Sequence, residues 1–204
     1  MAGLEADTIG GFNGMIKKQK KEAGKALVST ILFDDYSEVL HDRVDINKIE
    51  EMTDREYYVR GCTALLDAVG GAISHVKSVR SRMKKENRPE KTIFIITTDG
   101  CENSSREYSY NMVSKMIRNC REDNWEFIFL GANIDAVKEA GRLGIQASRA
   151  VNYKCDKKGT ELNYKVLGNV VSRMRACGSA VEMNNVLDEE ECFAEIHADY
   201  AARG

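Results

Sequence analysis

The chain has 204 residues, 43% hydrophobic and 30% charged, the make-up of a soluble globular protein with one ordinary domain, or one domain and a short appendage. Its formal net charge of −2 argues against a nucleic-acid binder that works by neutralising phosphates. The basic clusters Lys17-Lys18-Gln19-Lys20-Lys21 and Arg80-Ser81-Arg82-Met83-Lys84-Lys85, each followed by Glu, read as solvated helix faces.

The first predicted element is a helix from Asp7 to Ala23, with Ile9, Phe12, Met15 and Ile16 at helical spacing, Asp7 or Thr8 as N-cap and Gly24 at its end. An apolar strand from Ala26 to Phe33 ends in Asp34-Asp35, and a tight turn at Tyr36-Ser37 leads to a shorter strand, Glu38 to His41. Residues 42 to 62 read as loop, with one helical turn near Ile46 to Met52. Leu65, Ala68, Val69, Ala72, Ile73, Val76, Val79 and Met83 then trace one helix stripe, stopped at Asn87-Arg88-Pro89-Glu90.

Thr92-Ile93-Phe94-Ile95-Ile96-Thr97-Thr98 is a continuous β-branched and apolar run that ends in Asp99-Gly100, the pattern of a strand covered on both faces in a parallel sheet. Ser104-Ser105-Arg106-Glu107 has the form of a capping box for a helix through Val113, Met116, Ile117 and Cys120. Glu126 to Leu130 is another buried strand, with Trp125 before it as a half-buried anchor. Asp135 to Leu143 is a short helix closed by Gly144, and Ala150 to Tyr153 an edge strand. Thr160 caps a last long helix through Leu162, Val166, Val170, Met174 and Cys177. Residues 178–204 form an acidic tail, with Asp188-Glu189-Glu190-Glu191 and room for one short helix.

Strands alternating with helices predict an α/β fold: a doubly wound, mostly parallel, Rossmann-like sheet flanked by helices, with one antiparallel edge strand from the hairpin. Residues 1–177 make this domain and 178–204 the tail. Acidic residues at the carboxyl ends of such strands sit where ligand crevices form. Asp34-Asp35, Asp99-Gly100, Gly131-Ala132-Asn133 and the loop Arg60-Gly61-Cys62-Thr63 should meet there. Their carboxylate and hydroxyl oxygens are hard donors, suited to Mg²⁺, Mn²⁺ or Ca²⁺. Thr63 also has a plainer reading, as N-cap of the helix beginning at Ala64.

Taken together, Arg60-Gly61-Cys62-Thr63-Ala64-Leu65-Leu66-Asp67-Ala68 and Ile95-Ile96-Thr97-Thr98-Asp99-Gly100 resemble the second and third ligand motifs of von Willebrand factor type A domains. The resemblance extends over roughly residues 1–175. It implies a metal-ion-dependent adhesion site in which Thr63 and Asp99 hold a divalent cation, and a partner protein's carboxylate completes its coordination. The family's first motif, Asp-x-Ser-x-Ser, is not in the sequence. The opening helix also lacks the preceding strand that every other sheet-covering helix has, so the chain reads as short of one central strand at its N-terminus. Cation binding is then expected to be weak or absent, and the unpaired sheet edge offers a route to homo-oligomers.

The rival reading is a hydrolase that uses Asp99 in metal or nucleophilic chemistry, or Cys101 as a nucleophile. A reactive thiolate wants a nearby base, and His41, His75 and His197 are predicted to lie away from the site. No phosphate-cradling glycine motif supports nucleotide binding. Met15, Met83, Met116 and Met174 read as core fillers, and Tyr108 and Tyr110 as helix surface. No apolar run approaches the ~18 residues that span a bilayer. Met1-Ala2-Gly3-Leu4-Glu5-Ala6-Asp7 lacks the order of a signal peptide. The six cysteines have no paired spacing, which suits a reducing compartment. The expectation is a cytoplasmic protein-binding module, not an enzyme, with no nucleic-acid or membrane partner.

Overall fold

The computed structural model describes residues 3–59, 61–189 and 192–203. Arg60 of the expected ligand loop and Glu190 and Glu191 of the acidic run lie outside the described residues. In chain order the elements are α1 (Glu5–Gln19), β1 (Leu27–Phe33), β2 (Ser37–Asp45), α2 (Leu65–Arg82), β3 (Thr92–Thr98) and α3 (Tyr110–Glu122). They are followed by β4 (Trp125–Gly131), α4 (Ala136–Arg142), β5 (Ala150–Asn152), α5 (Lys157–Ala176), α6 (Ala180–Asp188) and α7 (Ala194–Ala202).

β3, β4 and β5 form a parallel sheet, in register from Thr92 opposite Trp125 to Thr98 opposite Gly131, and from Phe129 opposite Ala150 to Gly131 opposite Asn152. Every residue of β4 is buried, as a strand paired on both edges and covered on both faces must be. Its side chains alternate between two cores. Phe127 and Phe129 join Leu65, Val69 and Ile73 of α2 and Val113 and Ile117 of α3, while Ile128 and Leu130 join Val166, Leu167 and Val170 of α5.

The hairpin departs from expectation. β1 pairs antiparallel with β2, but this pair is a separate two-stranded sheet and not the edge of the parallel one. The reason is hydrogen bonding: β1 exchanges ladder bonds with β2, β3 with β4, and among the described residues no strand joins β1 to β3. Phe33 of β1 and Phe94 of β3 nevertheless pack against one core beneath α2. β2 also runs on to Asp45, past the expected end at His41, through an irregularity near Thr30 and a left-handed Arg43 (φ 54°).

Several caps move from their predicted places. α1 starts at Glu5 with no side-chain cap, so neither Asp7 nor Thr8 serves. α3 is capped by Ser109, whose Oγ accepts from the Met112 N–H, and not by a box at Ser104. Asp156 caps α5 through the Gly159 N–H at 2.7 Å, a carboxylate's advantage over a threonine at the positive end of a helix. Thr160 is carried inside and buried. Gly144 (φ 78°) ends α4 as predicted, with backbone that a β-carbon disfavours, whereas α1 stops earlier than expected, at Gln19 with Lys20 as its C-cap, and left-handed Gly24 (φ 85°) lies in the loop beyond it.

Trp125 is not half-buried but sealed, at 1% exposure, with Phe94 stacked 5.6 Å from it and 5.1 Å from Phe127. Tyr108 and Tyr110 are likewise more than helix surface. The Tyr108 ring lies where a β-carbon on Gly70 would be. Tyr110 donates its hydroxyl proton to Glu139 beneath the Arg142 guanidinium, 3.5 Å from the ring centre. The tail forms two helices, and their Met183, Val186, Leu187 and Ile196, with Phe193 at the N-cap of α7, enter the α5 core.

Gly70→Val should destabilise the chain by about 1–3 kcal/mol, the usual cost of overpacking, because its side chain meets the Tyr108 ring. Urea unfolding of both proteins measures this, and an unchanged midpoint would mean that Tyr108 does not pack on α2.

Candidate functional site

The carboxyl ends of β1, β3 and β4 converge through backbone contacts. The Asp34 carbonyl accepts from the Ala64 N–H at 2.5 Å, the Thr63 carbonyl from the Asn103 N–H at 3.0 Å, and the Thr98 carbonyl from the Ala132 N–H at 2.9 Å. Of the four predicted segments, the Asp34-Asp35 turn, the Gly61–Thr63 loop, the Asp99-Gly100 turn and Gly131–Asn133 are therefore gathered at one edge.

Thr63 and the Asp99-Gly100 turn are neighbours. A β-carbon placed on Gly100 would lie 3.1 Å from Thr63 Oγ1, so glycine here admits the hydroxyl. The turn is held from below by Thr98, whose Oγ1 donates to the Gly100 carbonyl at 3.0 Å and accepts from the Gly100 N–H at 3.3 Å. Asp99 and Thr63 are half-buried, and Asp34 is buried. Asp34 Oδ1 accepts from the Tyr36 N–H at 2.7 Å, which fixes the β1–β2 turn. Thr63 is not the cap of α2, since the N-cap position is Ala64 and makes no side-chain bond.

What stiffens this edge is a reciprocal latch that the sequence reading missed. Glu102 accepts from the Leu66 N–H in the first turn of α2 (2.9 Å) and from the Ser104 and Ser105 N–H groups at 2.9 and 2.8 Å. Asp67 reaches back the other way, accepting from the N–H groups of Arg106, Glu107 and Tyr108 at 2.7, 2.9 and 2.8 Å. Asn103 Oδ1 accepts from the Thr63 N–H at 2.9 Å. Glu102, Asn103 and Asp67 thus tie the Ser104–Tyr108 segment, where the sequence suggested a capping box, to the start of α2. Their signal was the acidic and amide residues directly after Asp99-Gly100, beside an acid in the first turn of the next-door helix.

Burial pushes the Asp67 and Glu102 carboxyls up, but the backbone N–H groups around each outweigh it and hold both below the usual carboxylate range. As donors for a cation, Thr63 and Asp99 fit a hard ion in kind but not in number. No group of three or more His, Cys, Asp or Glu side chains that could hold a metal occurs among the described residues. Cys101 and Cys62 are exposed free thiols. His75 is engaged with Asp42 at 3.0 Å, His41 stacks on Phe12, and His197 lies in α7. No helix among the described residues is long and apolar enough to cross a membrane.

No family model, curated protein or solved structure matches the chain.

Carboxylates depressed in the folded state add stability above their unfolded values of 3.8 and 4.5, and that contribution is lost as pH falls through the lower folded ones. Asp67→Asn should therefore cost about 1–2 kcal/mol at pH 7. The gap from the parent should narrow as pH drops below 3.8. Thermal melts from pH 7 to pH 3 check this, and a gap that stays constant would refute the latch.

Proposed function

We propose that the chain is a protein-binding module of the von Willebrand factor type A kind, which presents a partial cation site at the carboxyl edge of its sheet. The observation that supports this most is the seating of Thr63 Oγ1 against the Asp99-Gly100 turn. It gives a hydroxyl and a carboxylate on two different loops at one edge, the pair that the resemblance assigns to the second and third ligand positions.

On this reading Mg²⁺, or Mn²⁺ or Ca²⁺ in its place, is held by Thr63 and Asp99. Hard cations of this class take about six oxygen ligands or more, so two side chains give a weak site that a partner's carboxylate strengthens. The latch through Glu102, Asn103 and Asp67 keeps the two loops in place, which lowers the ordering cost of binding. Exposed Tyr36 and Tyr58, at 71% and 53%, stand on the loops that follow β1 and precede Thr63. Aromatic side chains of this sort are the usual anchors of protein interfaces. Among the described residues the histidines are engaged elsewhere, His75 with Asp42 and His41 with Phe12, while His197 lies in α7, which favours binding over thiol catalysis.

Mn²⁺ titration followed by amide NMR tests the site. Paramagnetic broadening should centre on residues 63 and 99–103, at millimolar cation, and vanish in Asp99→Ala. Broadening that survives this substitution, or that centres on the acidic tail, would overturn the reading. Ester or phosphate turnover that is lost in Cys101→Ser would put a hydrolase in its place.

A further inference from the structure

Cys120 and Cys192 are buried and Cys155 and Cys177 half-buried, which leaves Cys62 and Cys101 as the exposed thiols. Cysteine is among the residues most often found inside, so an exposed pair invites a chemical reading. The two are far apart in the chain, yet each adjoins one side of the same contact. Cys62 precedes Thr63 and Cys101 follows Gly100, and a β-carbon on Gly100 would lie 3.1 Å from Thr63 Oγ1.

The backbone beside each thiol is pinned. The Thr63 N–H and carbonyl are both bound to Asn103, at 2.9 and 3.0 Å. Gly100 is held by Thr98 Oγ1, and Glu102 by the N–H groups of Leu66, Ser104 and Ser105. Hydrogen bonds therefore fix how the two thiol-bearing loops lie against one another. Redox-active cysteines have this character: accessible to solvent, with a second thiol close by.

We propose that Cys62 and Cys101 form a thiol–disulfide exchange site, which a low-molecular-weight disulfide oxidises to a bridge between the two loops. A bridge needs α-carbons within about 7 Å, and each cysteine is one residue from loops already in contact. The thiolate of one cysteine attacks a sulfur of the reactant, bonds to it and releases half the reactant as a thiolate. The thiolate of the other cysteine then attacks the protein sulfur of this mixed disulfide and expels the second half. The protons lost by the two cysteines pass through solvent to the two released thiolates. The protein pair is thus oxidised by two electrons, and the reactant is reduced to two thiols. Exchange asks for a second thiol where hydrolysis asks for a histidine. Cysteines without framework spacing suit a transient, redox-sensing bridge better than a permanent one. The consequence for the site rests on the reading of Thr63 and Asp99 as cation donors: a bridge between their neighbours narrows the approach to both.

The test treats the native full chain with oxidised glutathione, blocks the remaining thiols and maps the products by mass spectrometry. The expected end product has lost two hydrogens, carries one bridge, between Cys62 and Cys101, and is restored by dithiothreitol. Cys62→Ser and Cys101→Ser, at exposed positions that leave the fold intact, should each stop at a glutathione adduct on the remaining cysteine of the pair. No reaction, a wild-type end product with glutathione on either cysteine, a bridge that involves Cys155, Cys177 or Cys192, or a disulfide-linked dimer would overturn the proposal. Oxidation should also raise the Mn²⁺ concentration that half-broadens residues 63 and 99–103 about tenfold, an ordinary coupling between two sites. Equal broadening in both redox forms would refute the closure. If the bridge forms and Mn²⁺ broadens these residues in neither form, the cation reading fails and the exchange site stands. If no bridge forms, the exchange site fails whatever the cation does.

Discussion

The candidate site depends on one exchange of hydrogen bonds, between the first turn of α2 and the loop after β3. Glu102 gives its carboxylate to the Leu66 N–H of α2, and Asp67 of α2 gives its own to the N–H groups of Arg106, Glu107 and Tyr108. Each carboxylate satisfies backbone donors that a helix start or an irregular loop would otherwise leave bare. Because the bonds cross in both directions, α2 and the loop cannot slide apart without breaking several charge-assisted contacts together. Thr63 is fixed by the same lock, its N–H and carbonyl both bound to Asn103, and its hydroxyl is left at the Asp99-Gly100 turn.

The lock is at the top of a sheet whose layers are unequal. On one side β4 is sealed by α2, α3 and α4 and on the other by α5, α6 and α7, with Trp125, Phe127 and Phe129 among its largest buried side chains. The hairpin of β1 and β2 stands apart from this sheet, tied to it by Phe33 in the α2 core and by the Asp34 carbonyl on Ala64. The carboxyl edge is thus built across two sheets that share a core without sharing a ladder. That arrangement accounts for β3 being both inner in composition and outer in pairing.

Much of this was legible in the sequence, because period and punctuation are local. β3 was read at its observed bounds, and the α2 stripe from Leu65 onward needed only helical spacing and the stop before Pro89. The gathering of Thr63, Asp99 and Asp34 followed from the rule that crossovers bring strand carboxyl ends to one edge. What failed was the choice between neighbouring acceptors: Glu102, two residues before Ser104, takes the N–H groups of Ser104 and Ser105, and Asp156, four residues before Thr160, reaches the α5 N-terminus first. The tail looked like a solvated acidic segment because its apolar residues are spaced over two short helices, and only the α5 core makes sense of Met183, Leu187 and Phe193.

The central claim is spatial: Thr63 is seated on the Asp99-Gly100 turn by the latch. Nuclear Overhauser spectroscopy of the labelled chain tests it most directly. The account predicts cross-peaks from the Thr63 β and γ protons to the Gly100 α protons, lost when Asp67 and Glu102 are both replaced by their amides. If the wild-type chain showed no such cross-peaks, or kept them unchanged in that double variant, the latch would not be what assembles this edge.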